Sequence, residues 1–368
     1  MFEVINEDLK SNARTGILKI VHGKLETPFF MPVATKGAVK YASVDDLKKM
    51  DAQCLISNSF VLYLKPGLDV IEKNGGLHKF MKWNKGIFTD SGGFQCSRES
   101  FYIKTTNEGA YFKSPFDGKL HVLTPEYSMD IQETLGSDIA MCLDDMPTYS
   151  KNKKHVADKT KRTHLWAERC LESHENRKQL LFGIAQGGVF KDIRKKSMKF
   201  ISNLDFDGIA LGGLALGEPL DKMYDMIKTT VPLSPKNKPR YLMGVGSPED
   251  IFKCVSLGID CFDSTFPTQN ARHSTIFTKK GKLRVLKGRY KNDLKSLDED
   301  CNCVVCKKYT RAYIHHLQRM EEPLGKMLTT VHNLSFIINF MKDIRIAIKE
   351  NRYEKFKKEF LANYKSDK

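Results

Sequence analysis

Residues 124–145, TPEYSMDIQETLGSDIAMCLDD, carry the signals of one helix followed by one short buried strand. Thr124 is a residue type that caps a helix, and Pro125 is favoured at the first helical position. The apolar run after Gly136 is short enough to be a fully buried strand. Because this run ends at Asp144, the sequence predicts a strand that presents a carboxylate at its carboxyl end.

Apolar segments of this kind occur eight times along the chain. Each is short enough for a strand buried on both faces, and most are separated by stretches with helical character. Alternating strands and helices predict a parallel sheet, and eight such units predict an α/β fold of the closed (β/α)8, or TIM-barrel, type. The segments are TPFFMPVAT, CLISNSF, GIFTDSGG, DIAMCLDD, LLFGIAQGG, GIALGGLA, YLMGVGS and GIDCFDST.

Polar residues and glycines stand at or just after the ends of these predicted strands. In a barrel the carboxyl ends of the strands form the active-site face. Strands in general stop at such residues, but three aspartates and a glutamine at corresponding ends favour a site. The residues are Asn58, Asp90, Asp144, Gln186, Gly213, Gly244 and Asp263.

The charge balance favours a polyanionic partner. The 368 residues contain 60 Lys and Arg against 44 Asp and Glu, a formal net charge of +16. Such a surplus is typical of nucleic-acid-binding proteins, although a basic protein without that partner remains an alternative.

The cysteines and the amino terminus indicate a compartment. Nine cysteines, most of them single within apolar runs, suit free thiols better than disulfides. The terminus MFEVINEDLK lacks a secretory pattern, and no uncharged apolar stretch approaches the roughly 18 residues of a membrane span. We expect a cytoplasmic protein with no membrane segment.

A cluster of thiols near the carboxyl terminus predicts a metal site. Cys301, Cys303 and Cys306 lie in CNCVVC, and three thiols can converge on one Zn²⁺ with one position left for an imidazole. His315, His316 and His332 are the candidates for that position. A site filled by four protein ligands is structural, so we expect one structural zinc per chain and chemistry elsewhere.

The character of the sequence divides the chain into three predicted parts. Residues 1–278 form the catalytic barrel, and residues 279–335 form a basic zinc-binding subdomain without a barrel-like repeat. Residues 336–368 form a helical segment that packs on the barrel and ends in a basic tail.

The motifs together resemble the tRNA-guanine transglycosylases of the bacterial type, in family order and through most of the chain. The resemblance implies a barrel with an inserted zinc subdomain that exchanges the wobble guanine of GUN-anticodon tRNAs for a 7-deazaguanine, in queuosine biosynthesis. It also makes His332 the fourth zinc ligand, leaves His315 and His316 to helix packing, and implies a homodimer. The motifs are NSFVLYLKPG, TDSGGFQ, SPFDG, ETLGSDIAMCLDD, GIAQGG, GGLALGE, MGVGSPED, FDSTFPTQNAR and CNCVVC with AYIHHL and VHNL.

The resemblance also assigns roles at the strand ends. Cleavage of an N-glycosidic bond develops an oxocarbenium-like sugar, which a carboxylate can trap before a second nucleophile restores the configuration. By resemblance Asp263 is this nucleophile and Asp90 is the general acid/base, although strand-end aspartates often only cap the next helix. The predicted base-binding residues are Asp144, Gln186, Gly213, Phe94, Met243, Leu214 and Glu218.

A basic strip after the barrel is the predicted tRNA contact. Seven of the 13 residues from 279 to 291 are Lys or Arg, among them Lys282, Arg284 and Lys287, and Arg272 precedes them. Phosphate binding is the function of such a strip beside an active site, whereas an isolated charge run is usually a solvated surface. Gln269 stands where the family usually has Arg, which bears on tRNA affinity.

The expected incoming base is preQ1, the aminomethyl deazaguanine precursor, and three other functions are alternatives. Queuine insertion is disfavoured by the bulky Leu216, although Asp145 and Met146 depart from the Asp-Glu-Cys pattern of the family. A non-catalytic tRNA-binding subunit is disfavoured by the presence of both Asp90 and Asp263. A DNA-modifying relative is disfavoured by the complete zinc motif.

Overall fold

Eight parallel strands form the barrel that the sequence predicts. The structure is a computed structural model that describes residues 2–93 and 101–364. We number its strands in chain order, and the barrel has the spatial order β4-β14-β13-β12-β11-β10-β6-β5. Its strands are β4 (Phe29–Met31), β5 (Cys54–Ser57), β6 (Gly86–Thr89), β10 (Ile139–Met141), β11 (Leu180–Ala185), β12 (Gly208–Leu211), β13 (Arg240–Leu242) and β14 (Cys261–Asp263).

The barrel closes between its first two strands. The Ala34 amide donates to the Ile56 carbonyl at 2.7 Å, and the Ile56 amide donates to the Pro32 carbonyl at 3.2 Å. Aromatic rings fill the interior, where Phe88 lies 5.5 Å from Phe182 and 5.8 Å from Tyr241, measured between ring centroids. All eight predicted strands are therefore confirmed, and the interior is a packed core.

Helices follow most of the barrel strands and begin at the predicted signals. Thr124 accepts a hydrogen bond from the Tyr127 amide at 3.2 Å and caps the helix that starts at Pro125. The helices are Val44–Lys49, Ser59–Leu64, Leu68–Lys73, Leu77–Met81, Pro125–Leu135, Lys153–Ser173, Lys191–Asn203, Leu220–Thr230, Pro248–Ser256, Phe266–Arg272, Val304–Lys308, Arg311–Arg319, Pro323–Lys349 and Tyr353–Asn363.

Three small antiparallel sheets surround the barrel. Strands β1 (Phe2–Glu7), β2 (Arg14–Ile20) and β3 (Gly23–Thr27) precede it in the chain. Strands β7 (Tyr102–Thr105), β8 (Ala110–Lys113) and β9 (Leu120–Leu123) lie between β6 and the next barrel helix in sequence. Strands β15 (Thr275–Thr278) and β16 (Gly281–Arg284) form a hairpin that begins the basic strip.

One long helix joins the carboxyl-terminal elements to the barrel. Helix Pro323–Lys349 is mostly buried, and the boundary predicted at residue 335 falls inside it. Its Arg345 donates to the carbonyl of Pro28, immediately before β4, at 2.9 Å. Phe340 packs edge-on against Phe252 of a barrel helix, with ring centroids 4.7 Å apart. In the described part of the chain, residues 2–93 and 101–364, no helix combines the length and apolarity needed to cross a membrane.

Candidate active site

A cavity of about 670 Å³ opens at the carboxyl ends of the barrel strands. Its wall includes residues at or just after the carboxyl ends of seven barrel strands, because parallel strands bring these ends to one face. The cavity unites most of the residues that the sequence singled out. Those that line it are Asn58, Asp90, Asp144, Gly213, Leu214, Met243, Gly244 and Asp263. Phe94 lies outside the described residues.

Asp263 is the last residue of β14 and stands directly above the packed interior of the barrel. Its Oδ1 accepts hydrogen bonds from the Tyr241 hydroxyl at 2.6 Å and from the Gly244 amide at 2.9 Å. Burial raises the pKa of Asp263, while these two donors lower it by stabilising the carboxylate. Two donors on one oxygen fix the orientation of the carboxyl group and leave Oδ2 for a substrate.

Asp90 follows β6 and faces the same cavity. Its Oδ2 accepts from the Asn58 side chain at 2.7 Å, and its Oδ1 accepts from the Ser59 amide at 3.1 Å. Burial, with a smaller contribution from the negative charge of Asp263, raises the pKa of Asp90 to about 7. A carboxyl group with this pKa can both donate and accept a proton near neutral pH, which suits a general acid/base.

Asp144, on the cavity wall, forms a hydrogen-bonded pair with Gln186, which lies behind the wall. Gln186 Nε2 donates to Asp144 Oδ2 at 2.6 Å, and Ser91 donates to Oδ1 at 3.3 Å. Burial raises the pKa of Asp144 to about 6, so this group is mostly ionised at neutral pH. Gln186 is fully buried, and its Oε1 has no hydrogen-bond partner among the described residues. The pair therefore holds both acceptor and donor groups that a guanine edge could use.

Two glycines allow the backbone after β12 to approach this pair. A Cβ atom on Gly212 would lie 2.4 Å from Gln186 Nε2, and one on Gly213 would lie 2.4 Å from Gln186 Oε1. Gly213 also has a φ of 65°, a conformation that favours glycine. Side chains at these positions would displace Gln186, so the glycines are needed for close approach as well as for the turn.

Arg194 is a site residue that the sequence did not indicate. Its side chain is fully buried and donates to the carbonyls of Gly188 at 2.8 Å, Ala185 at 3.0 Å and Gly212 at 2.7 Å. A fourth bond of 3.2 Å reaches the carbonyl of Gly213. Arg194 thus joins the loops after β11 and β12. It lies in the basic stretch KDIRKKSMKF, where the neighbouring charges suggest an exposed helix face.

The loop after β12 is held by Glu218. Its carboxylate accepts from the Ala215 amide at 2.5 Å and from the Leu216 amide at 2.9 Å. Leu216 and Met146 line the cavity with Leu214 and Met243 and give this part of the wall an apolar character. Asp145, adjacent to Met146, is buried and forms ion pairs with Lys159 and Arg162. The departure from the family pattern therefore places a methionine, and no additional carboxylate, on the cavity wall.

The predicted zinc ligands converge at one point. Nδ1 of His332 lies 4.0 Å from Sγ of Cys301, 3.5 Å from that of Cys303 and 3.2 Å from that of Cys306. Nε2 of His332 donates to the Phe277 carbonyl at 2.7 Å, which leaves Nδ1 unprotonated and directed at the thiols. The four groups could therefore hold one metal ion of the zinc type. His315 instead hydrogen-bonds the Val285 carbonyl at 2.7 Å.

The predicted tRNA-binding residues lie on helix Phe266–Arg272, on β16 and just after β16. Gln269 is exposed on helix Phe266–Arg272, and Arg272, half-buried on the same helix, donates to Thr268. Lys282 of β16 places Nζ 5.2 Å from the ring centroid of Phe266 and 3.5 Å from a Glu249 oxygen. Two further members of the strip differ in exposure: Arg284 is exposed and Lys287 is half-buried. Since Phe266 follows Asp263 by three residues, the strip begins beside the active face.

A closed barrel whose strand ends bring two carboxyl groups into one cavity beside a carboxylate–amide pair is an enzyme of the (β/α)8 class. The model of a family described as queuine tRNA-ribosyltransferase matches residues 8–366. A protein of that name from Halothermothrix orenii is 47% identical over 363 residues, which cover 99% of this chain and 97% of its own. One from Staphylococcus haemolyticus is 48% identical over 364 residues, covering 99% of this chain and 96% of its own.

The chain therefore belongs to the queuine tRNA-ribosyltransferase family. The resemblance drawn from the motifs is confirmed, as is the prediction of an enzyme of the tRNA-guanine transglycosylase class. The individual roles of the site residues remain predictions.

Proposed function

We propose that the protein exchanges the wobble guanine of GUN-anticodon tRNAs for preQ1 by double displacement. The observation that carries this proposal is the presence of Asp90 and Asp263 in one cavity, next to the Asp144–Gln186 pair. Base exchange that retains the configuration at the ribose carbon requires one group that binds the ribose covalently and one group that transfers a proton to and from the bases.

In the proposed reaction Asp263 attacks C1′ of the ribose as the bond to the guanine nitrogen breaks. The electron pair of that bond leaves with the base, and Asp90 supplies the proton that neutralises it. The entering base then returns a proton to Asp90 and displaces Asp263 from C1′, which restores the configuration. The hydrogen bonds from Tyr241 and Gly244 hold Asp263 in position when it attacks C1′ and when the entering base displaces it.

The base is recognised in this proposal through its Watson–Crick edge. Asp144 accepts from the ring N–H and the exocyclic amine, while Gln186 and the Gly213 amide pair with the carbonyl. The apolar residues Met243 and Leu214 contact the ring, and Glu218 positions the loop that carries Leu214. Flipping the base into the cavity is favoured in a single-stranded anticodon loop.

PreQ1 is the proposed incoming base, and queuine is the alternative. Leu216 and Met146 both line the cavity, so a base with a bulky cyclic substituent competes with them for volume. Exchange of labelled guanine into tRNA, competed separately by preQ1 and by queuine, distinguishes the two.

The remaining functional assignments are also proposals. Arg272, Gln269, Lys282, Arg284 and Lys287 bind the anticodon arm, and one structural Zn²⁺ is held by the three cysteines and His332. The protein is also proposed to have the three-part division given above, to form a homodimer and to act in the cytoplasm.

The test uses Asp263→Ala and a matched control, Asp221→Ala, which removes an exposed carboxylate outside the cavity. The parent and the control should form a covalent RNA adduct that survives denaturing gels, and Asp263→Ala should form none and exchange no guanine. Near-normal exchange by Asp263→Ala would contradict the proposal. Absence of exchange by the parent would favour the alternative of a non-catalytic tRNA-binding subunit.

A further inference from the structure

An exposed aromatic ring stands at the rim of the active-site cavity. Phe116 lines the cavity, yet 47% of its surface is exposed. It belongs to the turn between β8 and β9, where its amide donates to the Ser114 hydroxyl at 3.2 Å. The same turn is closed by bonds from the Ser114 amide to the Lys119 carbonyl and from the Gly118 amide to the Ser114 carbonyl, at 2.8 and 2.9 Å.

The small sheet that carries Phe116 does not need this ring for its own packing. Its apolar contact with the barrel is made by other aromatic side chains, with Phe60 4.7 Å from Phe112 and 6.1 Å from Phe101 between ring centroids. Phe112 is fully buried, whereas Phe116 lies outside this cluster. A large exposed apolar side chain beside a substrate cavity therefore calls for a partner.

The charge around the ring indicates the chemistry of that partner. Lys65 places its Nζ 5.5 Å from the centroid of the Phe116 ring. Lys36 is exposed and lines the same cavity, and the nearby carboxylate of Asp117 is offset by Lys119 at 3.8 Å. An aromatic ring beside exposed ammonium groups is the combination that binds single-stranded nucleic acid, since every base has a face to stack and every nucleotide has a phosphate.

We propose that Phe116 and Lys65 form a rim platform on which a nucleobase adjacent to the exchanged guanosine stacks. This inference rests on the proposed function, because flipping one base into the cavity unstacks its neighbours in the loop. Phe116 replaces the lost stacking on one neighbour, and Lys65 binds the phosphate attached to it. Phe116 lies between β8 and β9 and Lys65 directly follows helix Ser59–Leu64, so the platform is distinct from the basic strip after the barrel.

The test measures the affinity of an anticodon stem-loop RNA, which does not depend on catalysis. Phe116→Ala should weaken binding about 5- to 150-fold, the range for loss of one base–aromatic stack. Phe116→Tyr should bind like the parent. Leu120→Ala is the matched control, since Leu120 is 63% exposed on the same sheet and does not line the cavity.

RNAs with an abasic ribose on either side of the guanosine identify the stacked base. One of the two should weaken binding to the parent by a similar factor and to Phe116→Ala by less than about twofold, because the partner ring is already absent. Lys65→Met should reduce the slope of log affinity against log salt by about 0.7.

Three results would overturn the platform. They are equal affinities of Phe116→Ala and Leu120→Ala, abasic penalties that are the same in the parent and in Phe116→Ala, and dissociation of a protein dimer by Phe116→Ala with RNA affinity unchanged. Guanine exchange by the parent is assayed in parallel, so failure of the proposed function appears as absent exchange and failure of the platform as unchanged RNA binding.

Discussion

The Tyr241 hydroxyl donates a 2.6 Å hydrogen bond to Oδ1 of Asp263. Tyr241 is fully buried and packs against Phe88 in the centre of the barrel, so its position is fixed by the core. The orientation of the proposed nucleophile is thereby tied to the interior packing of the fold. Burial beside Asp263 keeps the pKa of Tyr241 well above its usual value, so the phenol retains its proton and remains a donor.

Tyr241→Phe should move the acid limb of the exchange rate to higher pH. Asp263 attacks as a carboxylate, and the bond from Tyr241 lowers its pKa, so loss of that bond raises the pKa further. A bond to a charged group contributes about 1.5–3 kcal/mol, which corresponds to a shift of roughly one to two pH units. Single-turnover rates between pH 5 and pH 9 measure this. Tyr224→Phe, which removes a tyrosine–aspartate bond outside the cavity, should leave the profile unchanged.

Asp144→Asn should impair guanine recognition with little effect on folding. Asparagine presents an amide NH2 group where an acceptor is needed, and leaving a buried donor of the base unpaired costs roughly 1–3 kcal/mol. The guanine KM should rise about 5- to 150-fold by that estimate, whereas exposed Asp158→Asn should have no effect. In the parent the guanine KM should also rise as the pH falls below about 6, where Asp144 becomes protonated. A guanine KM unchanged by Asp144→Asn would move this role elsewhere.

Arg194→Lys should weaken base binding more than tRNA binding. Lysine keeps the charge but cannot reach the carbonyls of both loops at once, so the Gly212–Gly213 backbone loses its fixed position beside Gln186. Loss of one or two such bonds predicts a rise of about 10- to 100-fold in the guanine KM. Lys195→Met on the exposed side of the same helix is the control. Equal changes in the guanine KM and in tRNA affinity would indicate a general loss of structure.

Replacement of Cys303 or His332 should release the metal and destabilise the carboxyl-terminal elements. Metal binding by four protein ligands contributes to the free energy of folding. Removing Cys303 or His332, both buried, takes away one of the four ligands and leaves the others without the ion. Metal analysis of the parent should find about one zinc per chain, as one four-ligand site requires. His316→Ala should retain it, because His316 is exposed and is not among the four converging groups. A folded, active parent without metal would refute the zinc site.

Neutralising Lys282, Arg284 and Lys287 together should flatten the salt dependence of tRNA binding. Each phosphate contact to a single strand contributes about −0.7 to the slope of log affinity against log salt. The base exchanged should not change, because none of the three lines the cavity. Neutralising Lys195, Lys196 and Lys199 on an exposed barrel helix controls for net charge. If both triple variants show the same slope, the tRNA phosphates bind elsewhere.

The strip also makes a prediction about Gln269. This residue is exposed on the helix that packs against Lys282 through Phe266, so restoring Arg there should raise tRNA affinity if the loop passes close by. The increase should be lost at high salt.

The strands and the three aspartates could be predicted because short apolar runs ending in polar residues carry a local signal. The choice of His332 as the fourth ligand needed the family resemblance, since the sequence alone left more than one histidine as a candidate. Arg194 could not be found in this way, because its burial depends on carbonyls from two loops that only the folded barrel brings together. Phe116 stands in the SPFDG motif, but the motif gave it no individual role, since the exposure of one ring in a turn is a tertiary property.

Helix Pro323–Lys349 has a consequence for synthesis on the ribosome. It carries His332 of the thiol cluster and also Arg345, whose partner is the Pro28 carbonyl 317 residues earlier. Strand β4 pairs with β14, so this pairing cannot form before residues 261–263 have been synthesised. The hydrogen bond from Arg345 to the Pro28 carbonyl cannot form before residue 345 has been synthesised. Nascent chains of ordinary proteins often fold from the amino terminus onward, whereas this barrel can be completed only when almost the whole chain has emerged. Until then its first strand has an unpaired edge, so slow or interrupted translation should leave this protein dependent on chaperones.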